Sequence, residues 1–196
     1  MKKFLNKHKK EGISSLISGS LVALYFLYSD NTEKVKDFGI LQNEISVFFA
    51  PQDKCTQSII KEIANARFSI KIQAYSFTAE AIWRAIVERK EAGIDVEIIL
   101  DHGQETAHHS LYKTVIEYKK IPLYIDTPGS SKKQLAHNKV IIIDDKIVIT
   151  GSFNFSKNAE NNAENLLIIR DEKIAKLYKD NWEYRKSLSK NANQDS

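Results

Sequence analysis

Two β-branched runs, Val-Ile-Ile-Ile at 140–143 and Ile-Val-Ile-Thr at 147–150, are separated only by Asp-Asp-Lys. Runs of this composition favour extended backbone, and so short a gap leaves room for nothing but a tight turn. The stretch therefore predicts an antiparallel hairpin that turns at Asp145-Lys146. His137 and Lys139 stand at its entry, and Gly151, Ser152 and Asn154 at its exit. Side chains two apart along a strand share a face, so His137 and Lys139 point the same way and Asp144, of opposite parity, points elsewhere. Ser152 and Asn154 emerge beside His137. An imidazole, an ammonium, a hydroxyl and an amide are thus gathered on one surface.

The rest of the chain alternates in period. Strands are predicted at 45–49, 68–75, 94–101, 122–125 and 164–169, and helices at 54–66, 79–92, 106–119 and 172–188. Asp53 and Thr78 are the expected N-caps of the first two helices, and Gly93 the expected stop of the second. Strands separated by helices of this length imply an α/β fold, a mixed and mostly parallel sheet flanked by helices. Residues 45–188 form the expected catalytic domain, 31–44 a polar linker and 189–196 a polar tail. With 42% hydrophobic and 28% charged residues, the chain has the composition of a globular protein rather than a disordered one. Cys55 is its single cysteine, which excludes an intrachain disulfide and a cysteine-based zinc finger.

The spacing H-x-K-x4-D-x6-G-S-x-N, complete from His137 to Asn154, resembles the phosphodiesterase motif of the phospholipase D superfamily. Similarity extends forward through Asn162-Ala163-Glu164-Asn165 and back to the strand ending Ile98-Ile99-Leu100-Asp101, covering about 45–170. Length and order are most like the small bacterial Nuc-type endonucleases and, more distantly, the mitochondrial cardiolipin hydrolase or Zucchini branch. His8-Lys9-Lys10 repeats the first letters of the motif, but no acidic residue follows at the required offset.

Phosphodiester hydrolysis needs a nucleophile, donors for the phosphate oxygens and an acid for the leaving alkoxide. Imidazole serves as base or acid because its ordinary pKa is about 6.5, but one ring cannot do both at once. The resemblance implies that two motifs meet across a two-fold axis, so a chain with one motif implies an obligate homodimer with one composite site. It further implies His137 as a nucleophile forming a covalent phosphohistidine, and the partner's His137 as the general acid. Lys139 and Asn154 would contact the non-bridging oxygens. Ser152 and Glu164 would stand behind them, with Glu164 accepting the other imidazole N–H; the alternative for Glu164 is a strand-edge carboxylate facing water. Asp144 is assigned to the turn and to structural hydrogen bonding.

No cofactor is expected, and the resemblance implies catalysis without a metal. His102, His108 and His109 cluster in sequence with Asp101 and Glu105, but adjacent helical residues diverge by about 100°. The group reads first as a substrate-side loop, next as solvated surface and last as a metal site. Lys132 and Lys133 before the motif and Lys157 after it are candidate phosphate contacts. Tyr75, Phe77 and Trp83 near a strand end read either as groove lining or as core, with Phe77 and His102 taken as substrate-binding.

Charge is uneven along the chain. Of the net +4, the first thirty residues hold a surplus of three, from five lysines against Glu11 and Asp30. The remainder is nearly neutral, so overall charge is no argument for nucleic-acid binding. Residues 12–28 carry no charge and follow the basic stretch, the pattern of a signal-anchor or a signal peptide over 1–30. At about 17 residues the run is short for a membrane span, where ~20 are typical. No small-residue cleavage site precedes Ser29. The expectation is an anchor in the inner-membrane lipid with the catalytic domain outside the cytoplasm, in a bacterial periplasm or at the cell surface; the alternative is secretion after cleavage. Expected substrates are DNA, single-stranded included, with RNA as a further candidate. The alternatives are a phospholipid of cardiolipin type and an inactive phosphate-binding module.

Overall fold

The computed structural model describes residues 44–129 and 133–194. The N-terminal anchor, the linker as far as residue 43 and Lys132 lie outside the described residues, as do 130, 131, 195 and 196. Among the described residues no helix is long and apolar enough to cross a membrane.

In chain order the elements are β1 (Glu44–Ala50), α1 (Cys55–Ala64), β2 (Ser69–Ala74), α2 (Glu80–Glu91), β3 (Asp95–Asp101), α3 (Tyr112–Tyr118) and β4 (Leu123–Asp126). The second half adds β5 (Lys139–Ile143), β6 (Ile147–Gly151), β7 (Glu164–Arg170), α4 (Glu172–Leu188) and β8 (Lys190–Asn191). One eight-stranded sheet runs β1-β7-β6-β5-β2-β3-β4-β8. It is mixed, and its parallel part is confined to β2, β3 and β4, which the crossover helices α2 and α3 link. The β5–β6 hairpin and its neighbours pair antiparallel, so the parallel portion is narrower than strand-helix alternation alone suggests.

Alternation along the inner strands divides the core in two. Ile141 and Ile143 of β5, with Ile70 and Ile72 of β2, pack toward Ile59 and Ile63 of α1 and Ile82 and Ile86 of α2. Val140 and Ile142 face the other way, against Ala175 and Trp182 of α4. The run 140–143 is unbroken in hydrophobicity because both of its faces are covered, and each fully buried isoleucine contributes roughly 1.5–3 kcal/mol. α4 is started by Asp171, whose carboxylate accepts the amides of Lys173 and Ile174 at 2.7 and 3.0 Å.

Five local expectations are corrected. Asp53 does not cap α1: its carboxylate accepts the Phe49 amide at 2.7 Å, and its own amide donates to the Phe49 carbonyl at 2.8 Å. Thr78 does not cap α2, because its amide and that of Ala79 both donate to the Phe155 carbonyl at 3.0 Å. The helix expected at 106–119 starts only at Tyr112, after a 3-10 turn at His102–Glu105. The hairpin turns at Asp144-Asp145, one residue earlier than expected, with both residues left-handed at φ 54° and 56°. That is the two-residue turn whose twist matches antiparallel strands. The stretch taken as a polar tail also contributes β8 to the sheet edge.

Candidate active site

The C-terminal ends of β1, β2, β3 and β6 and the N-terminal ends of β5 and β7 lie along one rim of the sheet. His137 enters this rim just before β5 and is held from both sides. The Ala136 amide donates to Asp101 Oδ2 at 2.7 Å, and the Tyr75 amide donates to the Asn138 carbonyl at 2.8 Å. Asp101 is itself buried and also accepts the Gly103 amide at 2.9 Å, so the end of β3 fixes the approach to the histidine.

Lys139, two residues on, is buried, with Nζ 2.8 Å from Nδ1 of His137, 3.3 Å from Nε2 and 2.7 Å from the His137 carbonyl oxygen. The Tyr75 ring completes the cluster: its centroid is 4.2 Å from that of the His137 ring, and the Lys139 ammonium lies 4.9 Å from it. Burial pushes the Lys139 pKa down, and the negative charge of Glu164 partly opposes it. A desolvated ammonium beside an exposed imidazole is an arrangement suited to receiving an anion.

The exit of the hairpin is built as a clamp. Ser152 donates its hydroxyl to Glu164 Oε2 at 2.5 Å and accepts the Asn165 amide at 3.0 Å, while its own amide donates to Asn165 Oδ1 at 3.0 Å. Gly151 is required here. Its φ is +144°, and a Cβ at this position would stand 2.3 Å from the Asn165 carbonyl oxygen. Among the described residues Asn154 Oδ1 is buried without a hydrogen-bond partner. Among the described residues the Glu164 oxygens take Ser152 and, at 3.3 Å, the Asn162 amide group, and no hydrogen bond joins them to the His137 ring. Asp144 sits at the far end of the hairpin, accepting the amides of Arg67, Phe68 and Ser69 at 2.9, 2.7 and 2.9 Å.

Other expected site residues are placed elsewhere. Phe77 is fully buried, in edge contact with the buried Trp83 at 6.5 Å between centroids, so both belong to the core and neither lines a groove. The His102 side chain is 13% exposed and lies 3.4 Å from Asp101 Oδ2, packed behind the motif rather than offered to a substrate. His108 and His109 lie on an exposed turn with their rings 4.4 Å apart, and among the described residues no three His, Cys, Asp or Glu side chains converge on a metal position. Lys133 is exposed in the loop before the motif. Tyr75, read from sequence only as one of three aromatics near a strand end, is the one that touches the histidine. Asp101 was legible as a strand-end carboxylate, though not as the anchor of Ala136.

The family model described as cardiolipin synthase, PLD-like domain, matches residues 59–185. A phospholipase D of Rickettsia prowazekii is 42% identical over 151 residues, which is 76% of this chain and 70% of that protein. Among solved structures, Nuc from Salmonella typhimurium, a phospholipase D family member, is similar with a TM-score of 0.69 and 33% identity, over 76% of this chain and 97% of that one. NucT from Helicobacter pylori is similar with a TM-score of 0.71 and 31% identity, over 76% and 99%.

Proposed function

The chain belongs to the phospholipase D superfamily and is a hydrolase of phosphodiester bonds, and from that premise we propose that its substrate is nucleic acid, DNA in the first place. The observation that carries this choice is the match to Nuc and NucT over nearly their whole length. The family match over 59–185 includes His137, Lys139, Ser152, Asn154 and Glu164.

The proposed reaction proceeds in two steps. His137 attacks phosphorus, a P–N bond forms, the P–O bond to the leaving group breaks, and the partner's His137 gives that oxygen a proton. Water then attacks the phosphohistidine, the P–N bond breaks, and the partner's imidazole takes the proton from the water. Lys139 meets the charge on the non-bridging oxygens, with Asn154 beside it. The local positive charge and amide that this chemistry needs are supplied by the chain's own side chains, which supports catalysis without a divalent ion. A solitary His137 lacks the acid for the leaving group, which supports the homodimer. We further propose that residues 12–28 hold the protein at the inner membrane with the catalytic domain outside the cytoplasm.

A second reading is favoured by the 42% identity to a protein named phospholipase D: hydrolysis of a phospholipid by the same groups. The intact set of five side chains speaks against a silent phosphate-binding module.

The test is the full-length protein in EDTA with single-stranded DNA, duplex DNA, RNA and cardiolipin vesicles in parallel. Cleavage of DNA is expected, abolished by His137→Ala with the dimer mass unchanged in light scattering. Turnover of lipid alone would overturn the nucleic-acid assignment, tight phosphate binding without turnover would leave only a binding module, and full activity of a monomer would overturn the composite site.

A further inference from the structure

Beside the catalytic clamp, a hollow of about 420 Å³ opens between the end of β1 and the start of β7, lined by Phe49, Pro51, Gln52, Ser152, Glu164 and Asn165 among others. We propose that this hollow is a nucleobase subsite in which the base next to the scissile phosphate stacks on the Phe49 ring; this rests on the nuclease assignment and gives it a substrate form, an unpaired strand.

Three observations converge on it. The hollow shares Ser152 and Glu164 with the catalytic cluster, so a strand whose phosphate meets Lys139 has a neighbouring nucleotide within reach of it. Phe49 is 56% exposed, although its backbone is pinned on both sides by Asp53, at 2.7 Å through the carboxylate and 2.8 Å through the amide. A fixed backbone presenting a bare aromatic ring is a stacking platform that loses little freedom when a base lands on it. Finally, Glu164 is the single ionised side chain in the lining. An acidic hollow repels a phosphate, of nucleotide or lipid alike, and admits the neutral base, while Lys139 takes the anion. The exposed Gln52 and the half-buried Asn165 add amide groups for the base edge. A base paired in a duplex cannot enter without leaving its stack.

The experiment compares the full-length wild type with Phe49→Ala and Phe49→Trp on a single-stranded oligodeoxynucleotide and on the same oligonucleotide carrying abasic units. On the normal strand Phe49→Ala is expected to raise KM about tenfold with kcat little changed, and Phe49→Trp to restore the wild-type value. On the abasic strand wild type and Phe49→Ala should cut alike. Equal cleavage of the normal strand by wild type and Phe49→Ala overturns the subsite. So does an equal loss on both strands, or a Phe49→Ala protein that has become a monomer, which would assign the ring to contact between copies. A wild type that cuts neither strand overturns the nuclease assignment itself.

Discussion

Lys71 on β2 and Lys139 on β5 are both buried, 7% and 6% exposed, on opposite faces of one sheet, and the fold treats them in opposite ways. Lys71 lies 2.7 Å from Glu97 and 3.5 Å from Glu183, with its ammonium 4.5 Å from the Trp182 ring. Lys186 reaches Glu97 from α4, and Arg185 pairs with the buried Asp126 beside it. Burial acts to raise the Glu97 pKa, but hydrogen bonds from Lys186 and Lys71 hold it below the usual carboxylate range. Lys139, among the described residues, has no carboxylate within ion-pair distance and is left with a histidine, a carbonyl and a tyrosine ring. A buried charge is costly unless it is paired. The fold itself supplies the partner for Lys71 and none for Lys139, whose partner in the proposed reaction is the phosphate of the substrate.

Lys71→Met should break this contrast on the side of stability. Removing one member of a buried network leaves its partners uncompensated, at a cost of about 3–5 kcal/mol. The lower end is expected here because Lys186 still reaches Glu97. Urea denaturation would show that loss, while kcat of the folded fraction stays within about twofold. Lys139→Met should do the converse. Losing a donor aimed at the developing charge lowers kcat about 10²–10³-fold, or ~3–4 kcal/mol in the barrier, and the urea midpoint should hold or rise, since an unpaired buried ammonium is gone. A stability loss at Lys139 as large as that at Lys71 would erase the distinction.

The same contrast explains what the sequence made legible. The meeting of His137 with Lys139 and the pairing of β5 with β6 were legible because they depend on strand parity and one short turn, both local. Asp53 and Thr78 look like helix caps by their type alone, but tertiary partners claim them, the Phe49 backbone for one and the Phe155 carbonyl for the other. The missing first half of the helix at 106–119 has a similar cause. Gln104 accepts the Phe77 amide at 3.1 Å and the Leu111 amide donates to the Phe77 carbonyl at 3.0 Å, so the loop follows the segment just after β2 rather than its own helical preference. Phe77 and Tyr75 are two residues apart and alike in sequence, and only the pairing of β2 with β5 decides that Tyr75 meets His137. The Lys71 network was invisible for the same reason, since its members come from β2, β3 and α4 and no local pattern joins them.

The smallest expected effect separates the two lysines by pH. Glu97, depressed in the folded state, contributes stability that is complete above the ordinary glutamate pKa of about 4.3 and is lost as pH falls through its lower folded value. Acid therefore loosens the Lys71 side, in the window below about 4.3. Lys139 is depressed as well, but it is a cation, so the sign reverses: the fold disfavours its charged form, and raising the pH relieves that cost instead of adding one. What alkali removes is the charge that, in the proposed reaction, meets the phosphate. The alkaline limb of kcat should consequently fall at a lower pH than an ordinary lysine, about 10.4, would give, and it should do so before any unfolding signal appears. Glu164→Gln sharpens the test, because deleting the negative charge that partly offsets burial moves the Lys139 limb further down. A limb that stays at the ordinary lysine value, or that coincides with unfolding, would mean that Lys139 belongs to the scaffold rather than to the chemistry.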